Sequence, residues 1–189
     1  MGSYDDYKRG RDLAWEMLIK CGISSLPVAL DKVAALCGIT ITSFKKAKEE
    51  GLISERAMKG RVSVGIVNGR KTVFVNTDTE DKGSIRFSMA KGIGLWLLRS
   101  GETRDRKAVE YEAGIFARDL LMPAVVLYGL GVKSVDEIEK ICAVSHRAAE
   151  IRAERMAELY DRRRFNTHPL EQKVWKLFEE YIEENTLKK

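Results

Sequence analysis

The side chains of this 189-residue chain best suited to grip a metal or attack a substrate are two histidines, His146 and His168, and three cysteines, Cys21, Cys37 and Cys142. Their spacing fits neither a metal-ligand pattern nor a redox pair. Each cysteine falls in an apolar helical stretch, which predicts small buried hydrophobes. Ser84 and Ser88 have no histidine close by in sequence to act as a base. Gly92-Ile-Gly94 lies inside a helical pattern and is not a dinucleotide fingerprint. A recognition chemistry is better marked. Val135 to Ala143, the break at Val144-Ser145, and His146 to Arg155 read as a helix-turn-helix with an apolar seam of Ile138, Ile141, Val144, Ala148 and Ile151. In that pattern the residues just past the turn face the DNA major groove. Ser145, His146 and Arg147 are therefore the candidate DNA contacts, with Glu150 beside them and Arg152 further along the same helix. The same segment also reads as an ordinary packing pair. Glu150, Glu154 and Glu158 alternate with Arg147, Arg152 and Arg155 at the spacing of a solvated, ion-paired face, and Arg162 to Arg164 add exposed charge.

The elements that must position these residues follow from periodicity and punctuation. A first helix runs from about Tyr4 to Cys21 and stops at Gly22. Leu26-Pro27 opens a second helix, since proline suits a first turn. Ile39 to Thr42 is a short β-like piece, and Thr42-Ser43 caps a short helix ending at Gly51. Arg61 to Val67, Asn68-Gly69 and Arg70 to Asn76 form a hairpin, because both turn positions need positive φ. Helices then span Lys82 to Arg99 and Arg104 to Met122, the second halted by Pro123. Ser134 and Glu137 make a capping box, a further helix reaches about Arg164, and Leu170 to Glu184 forms a last amphipathic helix. The predicted class is α+β, mainly helical, with a small hairpin sheet.

Composition limits the partners. Apolar residues make up 44% and charged residues 32%, a globular balance, and the net charge of +5 permits nucleic-acid binding without arguing for it. No run approaches the roughly 20 apolar residues of a membrane span, and the first residues lack the apolar stretch of a secretory signal. A cytoplasmic location without a membrane partner is expected.

Two segments carry a more specific likeness. Arg86-Phe-Ser-Met-Ala-Lys-Gly-Ile-Gly-Leu-Trp-Leu-Leu98 and Glu112-Ala-Gly-Ile-Phe-Ala-Arg-Asp-Leu-Leu-Met-Pro123 resemble the ImmA/IrrE family of metallopeptidases. That family reads Arg-Phe-x-x-Ala-His-Glu-Leu-Gly-His-x-Leu-Leu, then Glu-Ala-x-x-Phe-Ala-x-x-Leu-Leu-Met-Pro. The likeness extends to Leu26-Pro27, Val73 to Asn76, Val144-Ser145 and Arg152, and covers roughly residues 10 to 160. It implies a zincin-like metallopeptidase domain over residues 1–130, and a helical region with the helix-turn-helix-like pair over 131–189.

The departures from the family pattern define the expectation. Lys91 stands at the first zinc-ligating histidine, Gly92 at the general-base glutamate and Leu95 at the second histidine, while Glu112 matches the third ligand. An ammonium has no lone pair for a metal, and leucine and glycine offer no ligand atom. Zinc and peptidase chemistry are expected to be lost. A Lys91–Glu112 ion pair in the metal's place and a solvated Lys91 are both open readings. The resemblance implies a link to mobile elements such as prophages, where active members cleave helix-turn-helix repressors. The expected function is thus a catalytically inactive homologue that binds a helix-turn-helix repressor-type protein. A DNA-binding regulator using residues 134–157 is the alternative.

Overall fold

The computed structural model describes residues 4–56, 58, 60–78, 81–99 and 105–186. Helix α1 (Tyr4–Lys20) is followed by α2 (Leu30–Leu36), β1 (Ile39–Ser43) and α3 (Phe44–Glu49). The hairpin β2 (Val62–Val67) and β3 (Arg70–Val75) turns at Asn68 and Gly69, whose φ of 48° and 77° are the positive values the turn demands. The sheet is larger than a hairpin. β1 pairs parallel with β3, with Ile41 opposite Val73, giving the order β1-β3-β2. Parallel pairing needs a long crossover, here the chain through α3, and no local signal announces it.

Two long helices follow, the first packed on the sheet and the second packed on the first. They are α4 (Lys82–Leu98), capped by Asp81, and α5 (Arg106–Leu121), capped by Asp105. Helix α1 packs along α5, and Gly10 marks the closest crossing: a Cβ there would lie 2.5 Å from the Glu112 carbonyl oxygen. The chain continues through α6 (Ala124–Gly129), α7 (Val135–Cys142), α8 (His146–Asp161), α9 (Pro169–Leu177) and α10 (Glu179–Asn185). The result is a mainly helical α+β protein with a small mixed sheet. No helix of the described residues is long and apolar enough to cross a membrane.

Three expectations about elements need correction. Helix α2 begins at Leu30 and not at Pro27, which follows a cis peptide bond. Helix α6 was not expected, because Pro123 reads as a stop. Its Ala124, Val125, Val126 and Leu127 are all buried, so no amphipathic period reveals it. The last amphipathic helix is two, parted at Phe178 (φ −100°, ψ 5°). Val174, Phe178 and Ile182 nevertheless keep one buried stripe, at a spacing of four. These three residues join the same hydrophobic cluster as Trp15, Ile93, Phe116 and Leu127, so the core runs across residue 130 without a break.

Candidate functional site

The four positions singled out by the resemblance sit on α4, which meets the sheet, and on α5, which packs against α4. Helix α4 is held at three points. Ser84 N–H donates to Asp81 at 3.1 Å, the Arg86 guanidinium donates to the Val28 carbonyl at 2.9 Å, and the Trp96 indole donates to the Thr72 carbonyl at 3.1 Å. The last of these ties α4 to β3, and the middle of α4 packs on β2 and β3. At Gly92 a Cβ would come closer than 3.0 Å to Val73 Cγ1 and would meet Val62 Cγ2 at 3.0 Å. Two residues on, toward a different side of the helix, a Cβ at Gly94 would lie 2.7 Å from the Phe116 ring. Leu95 is buried in the core. Glycine is therefore what lets sheet, α4 and α5 close together, and a glutamate at 92 would have to push the sheet away.

Lys91 remains half-buried and polar. Its Nζ lies 3.1 Å from Glu110, so the pairing goes to Glu110 and not to Glu112, correcting the first of the two readings of Lys91. Glu112 is 0% exposed, on the side of α5 that packs toward α1. Glu110 also lies 3.7 Å from Arg106, so one carboxylate serves two cations. An ammonium facing a carboxylate can anchor a charged ligand, but it cannot supply the lone pairs a metal needs.

Lys91 and Glu110 stand in a cleft of about 820 Å³. One wall is α4, with Ser84, Phe87, Ser88 and Lys91; the facing wall is α5, with Arg106, Glu110, Gly114 and Arg118. Arg61 and Val62, at the start of β2, and Ser145, His146, Arg147 and Ile151, at the cap and on α8, complete the lining. Lys91 from one of the two rival sites read in the sequence, and Ser145, His146 and Arg147 from the other, thus line a single cavity, while Gly92, Leu95, Glu112 and Arg152 lie outside its lining.

The break between α7 and α8 includes Val144-Ser145, where the sequence places it. Ser134 and Glu137 form the capping box, Ala143 takes the left-handed conformation (φ 51°) in the turn, and the Ser145 side chain accepts from Ala148 N–H at 3.3 Å. The turn is seated on α4, for a Cβ at Gly83 would run into the backbone of Val144 and Ser145. The first turn of α8 therefore opens into a concavity, where a groove-reading helix needs to project. His146 is exposed with Nδ1 2.9 Å from Glu139. The Glu139 hydrogen bond, with Glu150 and Asp136 behind it, holds this imidazole above its ordinary pKa. Asp136, Glu139 and His146 bring one ligand atom each within 4.8 Å of one another on an exposed surface. Arg147 is 75% exposed and paired with Glu150 at 3.0 Å.

Arg152 requires correction as a DNA contact. It is 1% exposed. Its Nη2 lies 2.9 Å from Asp119, and its guanidinium donates to the Met122 carbonyl. Arg118 closes the network at 2.7 Å from Asp119. Burial alone would raise the Asp119 carboxyl, but Arg152 and Arg118 together hold it below the usual carboxylate range. This arginine fastens α8 to the end of α5, which fixes the far wall of the cleft. His168 is likewise structural: it caps α9, with Nδ1 accepting from Leu170 N–H at 3.3 Å, and its ring lies 5.3 Å from that of Trp15.

Arg61, Arg106, Glu110 and Arg118 were missed by the sequence reading. Positions 106, 110, 114 and 118 recur every fourth residue, a stripe on one face of α5 that periodicity could have exposed. Arg61 lies far away in sequence and had no such signal. Neither a protein-family model nor a curated protein matches this chain.

Proposed function

We propose that this chain is a catalytically inactive relative of the ImmA/IrrE metallopeptidases that acts as a binding protein, holding a helix-turn-helix repressor-type partner in the α4–α5–α8 cleft. The observation that carries the reading is the packing at Gly92. The position of the general base is filled by contact with Val73 and Val62, the neighbouring ligand positions carry a paired lysine and a core leucine, and yet an open cleft persists beside them. Selection for peptidase chemistry would keep the ligand side chains. Retention of an open, charged cavity fits recognition without chemistry. The DNA-regulator reading is less well supported. One of its four candidate contacts is buried, and Asp136, Glu139 and Glu150 surround His146 where phosphates would have to approach.

The test uses the full chain without a metal-binding tag. Elemental analysis should find far less than one zinc per chain, and a purified helix-turn-helix repressor of the same mobile element should bind and remain uncleaved. Stoichiometric zinc or cleavage of the repressor would sink the inactive-homologue reading. Binding to duplex DNA that weakens steeply with salt and is lost in Arg147→Ala would favour the regulator instead.

A further inference from the structure

We infer that the cleft is a docking groove for an acidic amphipathic segment of a partner protein; this rests on the binding-protein reading above and gives the partner its chemistry. Phe87 and Ile115 give the groove an apolar floor, Met122 being fully buried, and Ile151 stands 41% exposed in its lining. The charged lining is unbalanced: Arg61, Lys91, Arg106 and Arg147 face Asp81 and Glu110, while Arg118 beside them is already paired with buried Asp119. The carboxylates nearby are already shared. Glu110 serves both Lys91 and Arg106, and Glu150 serves both Arg147 and His146 at 3.0 and 3.7 Å. Arg61 reaches the Ser84 hydroxyl at 3.4 Å. Carboxylates entering along the β2–α4–α5 side would therefore meet cations that share too few acidic partners, and apolar side chains from the same segment would cover the floor.

The distribution of charge selects a peptide over a nucleic acid. Asp136, Glu139 and Glu150 surround His146, which lines the groove beside Arg147. A phosphate chain is uniformly charged and would be opposed by these carboxylates wherever it passed His146. A peptide can place its carboxylates away from them. Single-stranded nucleic acid also needs aromatic platforms, and Phe87 is the one phenyl ring lining the cleft among the described residues.

The probe is a fluorescein-labelled synthetic peptide of Glu-Leu-Leu-Glu repeats. It is compared with the same peptide carrying Lys for Glu, and with a labelled single-stranded oligonucleotide, by fluorescence anisotropy on the full chain. The acidic peptide should bind and the Lys peptide should not. Combining Arg61→Gln and Arg106→Gln should weaken binding roughly tenfold, since each exposed ion pair contributes up to a few-fold. The control pair Lys173→Gln and Lys176→Gln, on exposed positions of α9, should leave it unchanged. Both substituted proteins should keep the parent circular dichroism spectrum. Absent binding, equal binding of both peptides, indifference to the Arg61 and Arg106 changes, or displacement by the oligonucleotide would each overturn the inference. Zinc content and repressor binding are read separately, so failure of the peptide leaves the inactive-homologue reading to stand or fall on its own data.

Discussion

Replacing Gly92 by alanine tests whether this position is a packing contact between α4 and the sheet. In an ordinary helix interior, Gly→Ala stabilises by roughly 1 kcal/mol, because glycine carries the greater backbone entropy cost. At Gly92 the added carbon would sit closer than 3.0 Å to Val73 Cγ1, at 3.0 Å from Val62 Cγ2 and at 3.1 Å from Val73 Cγ2. Val73 is fully buried on the central strand and, being β-branched, has little freedom to turn away. Overpacking of this kind costs about 1–3 kcal/mol, and the upper end applies where backbone must move. The net expectation for Gly92→Ala is a loss of about 2 kcal/mol. Gly114 on α5 supplies the control: it is helical, and a Cβ there meets nothing within 4 Å. Gly114→Ala should gain roughly 0.5–1 kcal/mol. The same chemical change should thus have opposite signs, separated by about 3 kcal/mol. Urea denaturation followed by circular dichroism reads this as a midpoint difference of more than about 1 M, for a slope near 2 kcal/mol/M. Equal midpoints for the two variants would refute the packing argument, and with it the claim that a glutamate does not fit at 92.

Asp119→Asn should cost about 3–5 kcal/mol, because it strands the buried Arg152 and leaves Arg118 without its carboxylate; chemical denaturation checks it. With the folded Asp119 carboxyl held below its unfolded value, its contribution is full above about pH 4 and is lost as pH falls from there through the depressed folded pKa, so acid titration should remove it only below about pH 4. Cys142, fully buried with its thiol pushed up to about 12, should resist maleimide at neutral pH until the protein unfolds, whereas Cys21 and Cys37 are partly accessible and should react in the native state. The His146 imidazole should titrate above its ordinary value by NMR, and Glu139→Gln should return it toward that value; no change in the titration would remove Glu139 as the cause.

The sequence by itself determined the local elements wherever a chemical signature is confined to a few neighbouring residues. The Asn68-Gly69 turn, the Ser134–Glu137 capping box, the Ser43 and Ser145 caps and the long α4 and α5 segments were all legible, because turn geometry and orphan helix N–H groups are satisfied within one turn of chain. Ligand chemistry was legible for the same reason: no fold can give Lys91, Gly92 and Leu95 the lone pairs of imidazole or carboxylate. What only the tertiary structure decided were the contacts between distant segments. The parallel pairing of β1 with β3, the choice of Glu110 over Glu112 as partner of Lys91, the burial of Arg152 against Asp119, and the meeting of Arg61, Lys91 and Arg147 around one cleft all join residues that carry no mark of each other in sequence. Helical spacing could offer Arg152 as a surface cation. Its burial depended on where α8 crosses the end of α5, and a charge that would be costly there alone is held by an acid thirty-three residues away.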